Sequence, residues 1–182
     1  MTIGQVRANF GVFLPAGDFS MSDYYVAFYR GKGTFADKVV KFATRSPFSH
    51  CELIRSDTKP RRGETHTCIS ASGRDGGVRI KDIELKDPKW DIYAVPFARP
   101  DTWDRAAAEL GKPYELWTMF ASQLFNFRRN SRNRWYCSEL VAHALRLRMP
   151  HAKSPGDLLR AILDNTDQFH HGFELGEDEA EA

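Results

Sequence analysis

Cysteine is scarce in this sequence of 182 residues, and its three cysteines are widely separated. Cys51, Cys68 and Cys137 form no Cys-x-x-Cys pair and show no spacing typical of a disulfide framework. Such a set argues against a small secreted protein held together by disulfides and favours a reducing compartment. Even together with His50 and His66, the cysteines match no common zinc spacing. We therefore expect no metal and no other cofactor.

Long apolar runs are also missing. Residues 11–16 form the best candidate near the N-terminus, but they are too few for the core of a signal peptide and are interrupted by Pro15. No run approaches the roughly 20 apolar residues with which a helix crosses a bilayer. We predict a cytoplasmic protein with no transmembrane segment and no signal peptide.

Charge is distributed unevenly along the chain. The net charge is only +2, but the last ten residues carry five acidic residues and no Lys or Arg. An acidic segment of this kind is usually solvated and poorly ordered. The length and the 42% hydrophobic content suit one globular domain with a proper core. We predict a single domain over residues 1–172 and a disordered acidic tail over residues 173–182.

Hydrophobic periodicity predicts a mixed α+β chain. Strand patterns are found at residues 23–29, 49–54, 65–72, 78–80 and 90–96, and we expect those between 46 and 96 to form an antiparallel meander. Helical patterns are found at residues 34–44, 101–110, 114–127 and 137–149, and a further helix begins after an N-cap at Ser154. The apolar residues predicted to be buried by this last helix are Leu158, Leu159, Ile162 and Leu163.

The helix that begins near Cys137 has the most informative pattern. Its apolar residues recur at the spacing of an amphipathic helix, with Cys137 in the first turn. Unpaired backbone N–H groups and the helix dipole favour a thiolate at that position, and the thiolate is the nucleophilic form of cysteine. Free cysteine is also among the most buried residue types. The helix alone therefore leaves a structural role open.

His50 is the leading candidate for a base that would accept the proton of Cys137. Strand alternation places His50 and Glu52 on one face, and Cys51 and Leu53 on the other. A histidine in a strand is usually structural, so this assignment needs a second motif.

Two blocks of sequence provide that motif. Residues 49–54 (Ser-His-Cys-Glu-Leu-Ile), followed by residues 135–141 (Trp-Tyr-Cys-Ser-Glu-Leu-Val), resemble the circularly permuted branch of the NlpC-type papain-like cysteine hydrolases. This branch includes YiiX-like proteins and lecithin:retinol acyltransferases, and it carries the histidine strand before the cysteine helix. Shorter segments resemble the same family in the same order, namely residues 76–80, 111–114 and 154–158.

The resemblance implies a papain-like α+β fold, with an antiparallel meander or half-barrel packed against the cysteine helix. It implies that Cys137 is the nucleophile and His50 the base in acyl transfer from an amide, ester or thioester through an acyl-enzyme. Tyr136 and Ser138 would lie beside the oxyanion and the substrate. A cell-wall peptide and a lipid are both compatible substrates.

The third catalytic position departs from the family pattern, in which the next strand carries a polar residue, often Glu or His. His66 is our first choice for this position, with Ser70 or Glu52 as alternatives. The next strand offers no carboxylate to stabilise an imidazolium. The alternative function is therefore a catalytically weak or inactive papain-like module with a binding or structural role, for example in a phage particle.

Two further features bear on partners and location. Residues 31–37 resemble phage-encoded sequences, which would place the protein in a virion or in the host cytoplasm. The arginines of residues 128–134 have two open roles, either as groups that act on Cys137 or an anionic substrate, or as a solvated loop. No known nucleic-acid-binding module accompanies them, so we predict no nucleic-acid partner.

Overall fold

The computed structural model of the chain describes residues 23–31, 41, 46–114 and 135–178. These residues form a mixed α+β structure, which confirms the predicted class. The strands are β1 (Tyr24–Tyr29), β2 (His50–Arg55), β3 (Thr65–Ser72), β4 (Gly77–Glu84) and β5 (Trp90–Ala94). The helices are α1 (Thr102–Ala107), α2 (Cys137–Ala144) and α3 (Pro155–Asp178), with a short 3₁₀ helix at Pro150–Ala152. The predicted helices at 34–44 and 114–127 lie outside the described residues, except for Lys41 and Tyr114, and so do the arginines of 128–134.

The five strands form one antiparallel sheet in the order β4-β3-β2-β1-β5. Strands β2, β3 and β4 are consecutive neighbours, as predicted for a meander. Strand β5 departs from that prediction because it pairs with β1 and not with β4. The reason lies in β1, which is buried at five of its six positions and therefore needs a neighbour on each edge.

The two faces of the sheet bury different sets of side chains. Helices α2 and α3 cover one face through Val141, Ala144, Leu158 and Ile162. These side chains pack with residues of the sheet that point the same way, namely Val26, Phe28, Cys51, Leu53 and Ile69. The opposite face has a second apolar cluster that includes Tyr25, Ile54, Cys68, Leu85 and Trp90. Helix α2 therefore lies on the face of β2 that carries Cys51 and Leu53.

A chain of backbone contacts connects the sheet to the start of α2. The N–H of Val78 in β4 donates to the carbonyl oxygen of Lys112 at 2.9 Å, and the N–H of Trp135 donates to that of Pro113 at 3.1 Å. Gly77 permits the close approach, since a Cβ atom there would lie 2.3 Å from the Lys112 oxygen. The segments at 76–80 and 111–114 thus meet beside Trp135, two positions before Cys137.

Helices α1 and α2 are both shorter than predicted. Helix α2 begins at Cys137 as expected but ends at Ala144, because Arg146 takes a left-handed conformation with φ of 57°. Asp101, the predicted N-cap of α1, makes no capping hydrogen bond with its side chain. Its carboxylate instead accepts a hydrogen bond from the Arg146 guanidinium at 2.5 Å.

Helix α3 begins with the predicted cap. The N–H of Asp157 donates to Ser154 Oγ, and the N–H of Ser154 donates to the Asp157 carboxylate, each at 3.1 Å. This reciprocal pair is a capping box. Leu158 and Ile162 are buried as predicted, whereas Leu163 is exposed.

Helix α3 continues to Asp178, six residues into the predicted acidic tail of residues 173–182. The last four residues of that tail lie outside the described residues. A helix that is already formed extends at low cost through good helix formers such as Glu and Leu. Among the helices that can be described, none is long and apolar enough to cross a membrane.

Candidate active site

Cys137 is the first residue of α2, and it is only 3% exposed. Tyr136 precedes it in an extended conformation, so the helix begins abruptly at the cysteine. The backbone N–H groups of the first turn have no acceptor within the helix, and they lie at the positive end of its dipole. The prediction that the thiol sits in the first turn is confirmed.

His50 lies at the first position of β2, where its imidazole connects two acidic groups. Its Nε2 is 2.7 Å from Glu52 Oε1. Its ring also forms a hydrogen bond with the side chain of Cys137. The His50 side chain is 21% exposed, whereas Glu52 and Cys137 are buried, so solvent reaches these three residues at the imidazole.

The charges of His50 and Cys137 stabilise each other and shift the pKa values of both groups. Burial alone lowers the pKa of His50, but the charges of Cys137 and Glu52 and the hydrogen bonds to both raise that pKa to about 10. A hydrogen bond from Cys51 is the largest influence that lowers the pKa of Cys137; burial opposes it, and the charge of His50 adds to it. The pKa of the thiol therefore lies well below its ordinary value. Both shifts favour the thiolate–imidazolium form of the pair.

A buried ion pair holds Glu52 in place. Its side chain is 1% exposed, and its two oxygens accept hydrogen bonds from the Arg79 guanidinium at 2.7 and 2.5 Å. Burial raises the pKa of Glu52, but the bonds and charges of Arg79 and His50 outweigh burial, so the net shift of the pKa is downward. Asp75 anchors the guanidinium in turn, at 3.0 Å from Nε. The carboxylate beside His50 therefore stays ionised.

Cys51 contacts Cys137 from the sheet. Its thiol donates a hydrogen bond to the sulfur of Cys137, and its backbone N–H donates a second one. Burial first, and then the neighbouring thiolate, hold the pKa of the Cys51 thiol well above its ordinary value. Cys51 therefore keeps its proton and acts as a donor.

His66, the preferred third member of the site, lies elsewhere on the sheet. When the register in which Leu53 pairs with Ile69 is extended, His66 lies opposite Ser56. Ser56 is six residues, or roughly 20 Å, along the extended chain from His50. The His66 ring instead faces the carboxylate of Glu64 at 3.2 Å. The strand register therefore places His66 away from His50, which corrects the prediction of His66 as the third member of the site.

The two alternatives for that position, Ser70 and Glu52, have different hydrogen-bond partners. The hydroxyl of Ser70 donates to the carbonyl oxygen of Cys51 at 2.7 Å, so it supports the backbone of β2 and not the imidazole. Glu52 lies two residues from His50 on the same strand, and its carboxylate contacts the imidazole. Arg79, two strands away, fixes this carboxylate in place.

Tyr136 and Ser138, the predicted oxyanion and substrate residues, both have structural contacts. The Ser138 hydroxyl donates to the carbonyl oxygen of Lys153 at 2.6 Å. The Tyr136 ring packs edge-on against that of Tyr114, with 5.9 Å between the ring centroids. The side chains of Tyr136 and Ser138 are thus engaged within the protein. The groups at this position suited to an oxyanion are the backbone N–H groups of Cys137 and Ser138.

Sequence reasoning missed Arg79 and the contact of Cys51 with Cys137. Arg79 pairs with Ser70 across β3 and β4, which places it on the same sheet face as Glu52. A glutamate in the middle of a buried strand needs a cationic partner, and this need was the available clue. The Cys51 contact depends on which sheet face α2 covers, and strand alternation does not specify that face.

A scan against protein-family models gives no match to this sequence, and a search of curated proteins gives none either. The function is therefore inferred from the chemistry of the site. That chemistry comprises a thiol of lowered pKa at a helix start, an imidazole of raised pKa at a strand end, and a carboxylate fixed by a guanidinium.

Proposed function

We propose that this chain is a thiol-dependent hydrolase or acyltransferase of the papain-like type, with the histidine strand preceding the cysteine helix. One observation carries the proposal: His50 bonds to Cys137 on one side and to the buried carboxylate of Glu52 on the other. A nucleophile, a base and a group that orients the base, all within hydrogen-bonding reach, are what covalent acyl transfer requires.

The reaction that fits these groups has two steps. The Cys137 thiolate attacks the carbonyl carbon of an amide, ester or thioester, while backbone N–H groups at the start of α2 stabilise the oxyanion. The His50 imidazolium gives its proton to the leaving group, and the acyl group stays on the sulfur. His50 then takes a proton from water, or from an alcohol or amine acceptor, which attacks the thioester and releases the thiolate. Glu52 remains ionised and holds the ring.

The substrate belongs to a chemical class that this reaction defines. It carries an acyl group on nitrogen, oxygen or sulfur, and both a cell-wall peptide and a lipid ester satisfy that condition. The imidazole is the solvent-exposed member of the site. The acyl carbon therefore approaches Cys137 past His50.

Acylation of Cys137 by p-nitrophenyl acetate tests this proposal. We expect a rapid release of nitrophenolate, about one per chain, as the acyl-enzyme accumulates, and a single acetyl group on Cys137 by peptide mass spectrometry. The Cys137→Ala variant should show no burst. The matched control is Cys68→Ala, which removes a buried thiol from the opposite sheet face and should keep the burst.

The opposite outcome is equally specific. If acetyl groups appear on surface lysines and the slow release of nitrophenolate is the same in Cys137→Ala, the chain does not form an acyl-enzyme. The binding or structural module would then be the better description of its function.

A further inference from the structure

Two of the three cysteines contact each other across different elements. Cys51 in β2 and Cys137 in α2 are free thiols that belong to one apolar cluster, with 0% and 3% of their surfaces exposed. The Cys51 thiol donates a hydrogen bond to the Cys137 sulfur. Cys68 lies in the cluster on the other face of the sheet, so it is separated from this pair.

The proposed acyl transfer does not need a second sulfur atom. The backbone N–H of Cys51 already donates to Cys137, and His50 supplies the proton transfers. A serine at position 51 would also provide a donor. The chemistry that distinguishes a thiol from a hydroxyl in this place is the formation of a disulfide.

We propose that Cys51 and Cys137 form a peroxide-sensitive thiol switch, in which Cys137 is oxidised first and Cys51 resolves it as a reversible disulfide. The switch rests on the proposed function in one respect, namely that Cys137 is a reactive thiolate. It adds a control that the hydrolase chemistry does not contain, because the disulfide removes the nucleophile.

Hydrogen peroxide is the oxidant. The Cys137 thiolate attacks one peroxide oxygen and the O–O bond breaks; the hydroxide that leaves takes the His50 proton and becomes water, and the cysteine becomes a sulfenic acid. Cys51 sulfur then attacks the Cys137 sulfur and an S–S bond forms. The second hydroxide leaves with the Cys51 proton as water. In total, two thiols lose two electrons, and one peroxide is reduced to two waters.

The order of these events follows from the two environments. Cys137 is the thiolate, so it reacts first. The negative charge of Cys137 contributes to the raised pKa of Cys51. This contribution disappears once Cys137 is a neutral sulfenic acid, so Cys51 becomes easier to deprotonate when it is needed. Peroxide is small enough to enter past the partly exposed His50 ring.

The experiment is a peroxide titration of the wild-type chain, followed by blocking with N-ethylmaleimide and non-reducing peptide mass spectrometry. We expect one linked peptide pair, Cys51 with Cys137, while Cys68 carries the maleimide. Dithiothreitol should restore both thiols and the burst with p-nitrophenyl acetate. A sulfinic acid on Cys137 beside a free Cys51 thiol, or a linkage through Cys68, would overturn the switch.

Variants provide a second measurement. In Cys51→Ser, the same peroxide dose should drive Cys137 to the irreversible sulfinic acid, because no resolving thiol remains. Cys68→Ser is the matched control and should form the disulfide as in wild type. If Cys51→Ser does not fold, the wild-type peptide map decides alone.

Failure of the switch can be distinguished from failure of the proposed function. Without peroxide, rapid alkylation of Cys137 near neutral pH reports the thiolate. Rapid alkylation with no disulfide would overturn the switch only. Slow alkylation with no disulfide would overturn the switch and remove the support for the hydrolase.

Discussion

Replacing His50 with alanine is expected to raise the pH midpoint of Cys137 alkylation from its lowered value toward about 8.5, the ordinary pKa of a thiol. In the wild type, the thiolate exists above the lowered pKa of Cys137, and the imidazolium exists below the His50 pKa of about 10. Reactivity should therefore be on a plateau between these limits. Without the imidazolium, burial of the sulfur opposes ionisation and the acidic limb moves upward.

The midpoint, and not the rate at one pH, is the quantity to measure. A thiolate of higher pKa is intrinsically more nucleophilic, with a Brønsted slope of about 0.4–0.5, and this partly hides the loss of ionised sulfur. Iodoacetamide reactions followed by mass spectrometry over a pH series provide the midpoint. His66→Ala is the matched control and should react as wild type. A wild-type midpoint already at the ordinary thiol value, unchanged in His50→Ala, would contradict the thiolate–imidazolium pair.

The same pair sets a limit for turnover at alkaline pH. The pKa of His50 is raised in the folded protein, so the proton that it donates to the leaving group is present below about pH 10 and is lost above it. Turnover should therefore fall through that range, although alkylation does not. His50→Ala should lower turnover by about 10²–10⁴-fold, the usual contribution of a general acid–base group.

Replacing Arg79 with methionine is expected to lower the free energy of unfolding by about 3–5 kcal/mol, the usual cost of leaving one member of a buried ion pair without its partner. Glu52 is 1% exposed and would keep its charge beside His50 without the guanidinium that offsets its burial. The variant also removes one of the two cationic partners of Asp75, the other being Lys81. Urea denaturation followed by circular dichroism measures this loss.

Arg62→Met is the matched control. Arg62 is 48% exposed and pairs with Asp87 and Asp91, so its removal should cost only about 0–1 kcal/mol. In a Glu52→Gln background, Arg79→Met should cost less than in the wild type, because no buried charge is left unpaired. Equal losses for Arg79→Met and Arg62→Met would show that the buried pair contributes no more than a surface pair.

Local patterns in the sequence predicted the elements well. The spacing of apolar residues after Cys137 placed the thiol at a helix start, and the Ser154 and Asp157 pair marked the start of α3. Alternation in residues 49–54 separated His50 and Glu52 from Cys51. Each of these features depends on residues within a few positions of one another, so the local sequence contains the information.

Features that depend on register were not predictable in the same way. The position of β5 beside β1, the distance of His66 from His50 and the approach of Arg79 to Glu52 all follow from how strands align. A single sequence contains no direct record of that alignment. The resemblance pointed to the next strand for the third member of the site, whereas the carboxylate next to His50 comes from His50's own strand.

Strand β4 connects the two halves of the candidate site mechanically. Its first residues hold the segment that leads to α2, and Arg79, two positions after Gly77, holds the carboxylate beside His50. Both halves of the site are therefore attached to one short length of backbone. We therefore expect a displacement of this strand to move Cys137 and the Glu52 carboxylate beside His50 together.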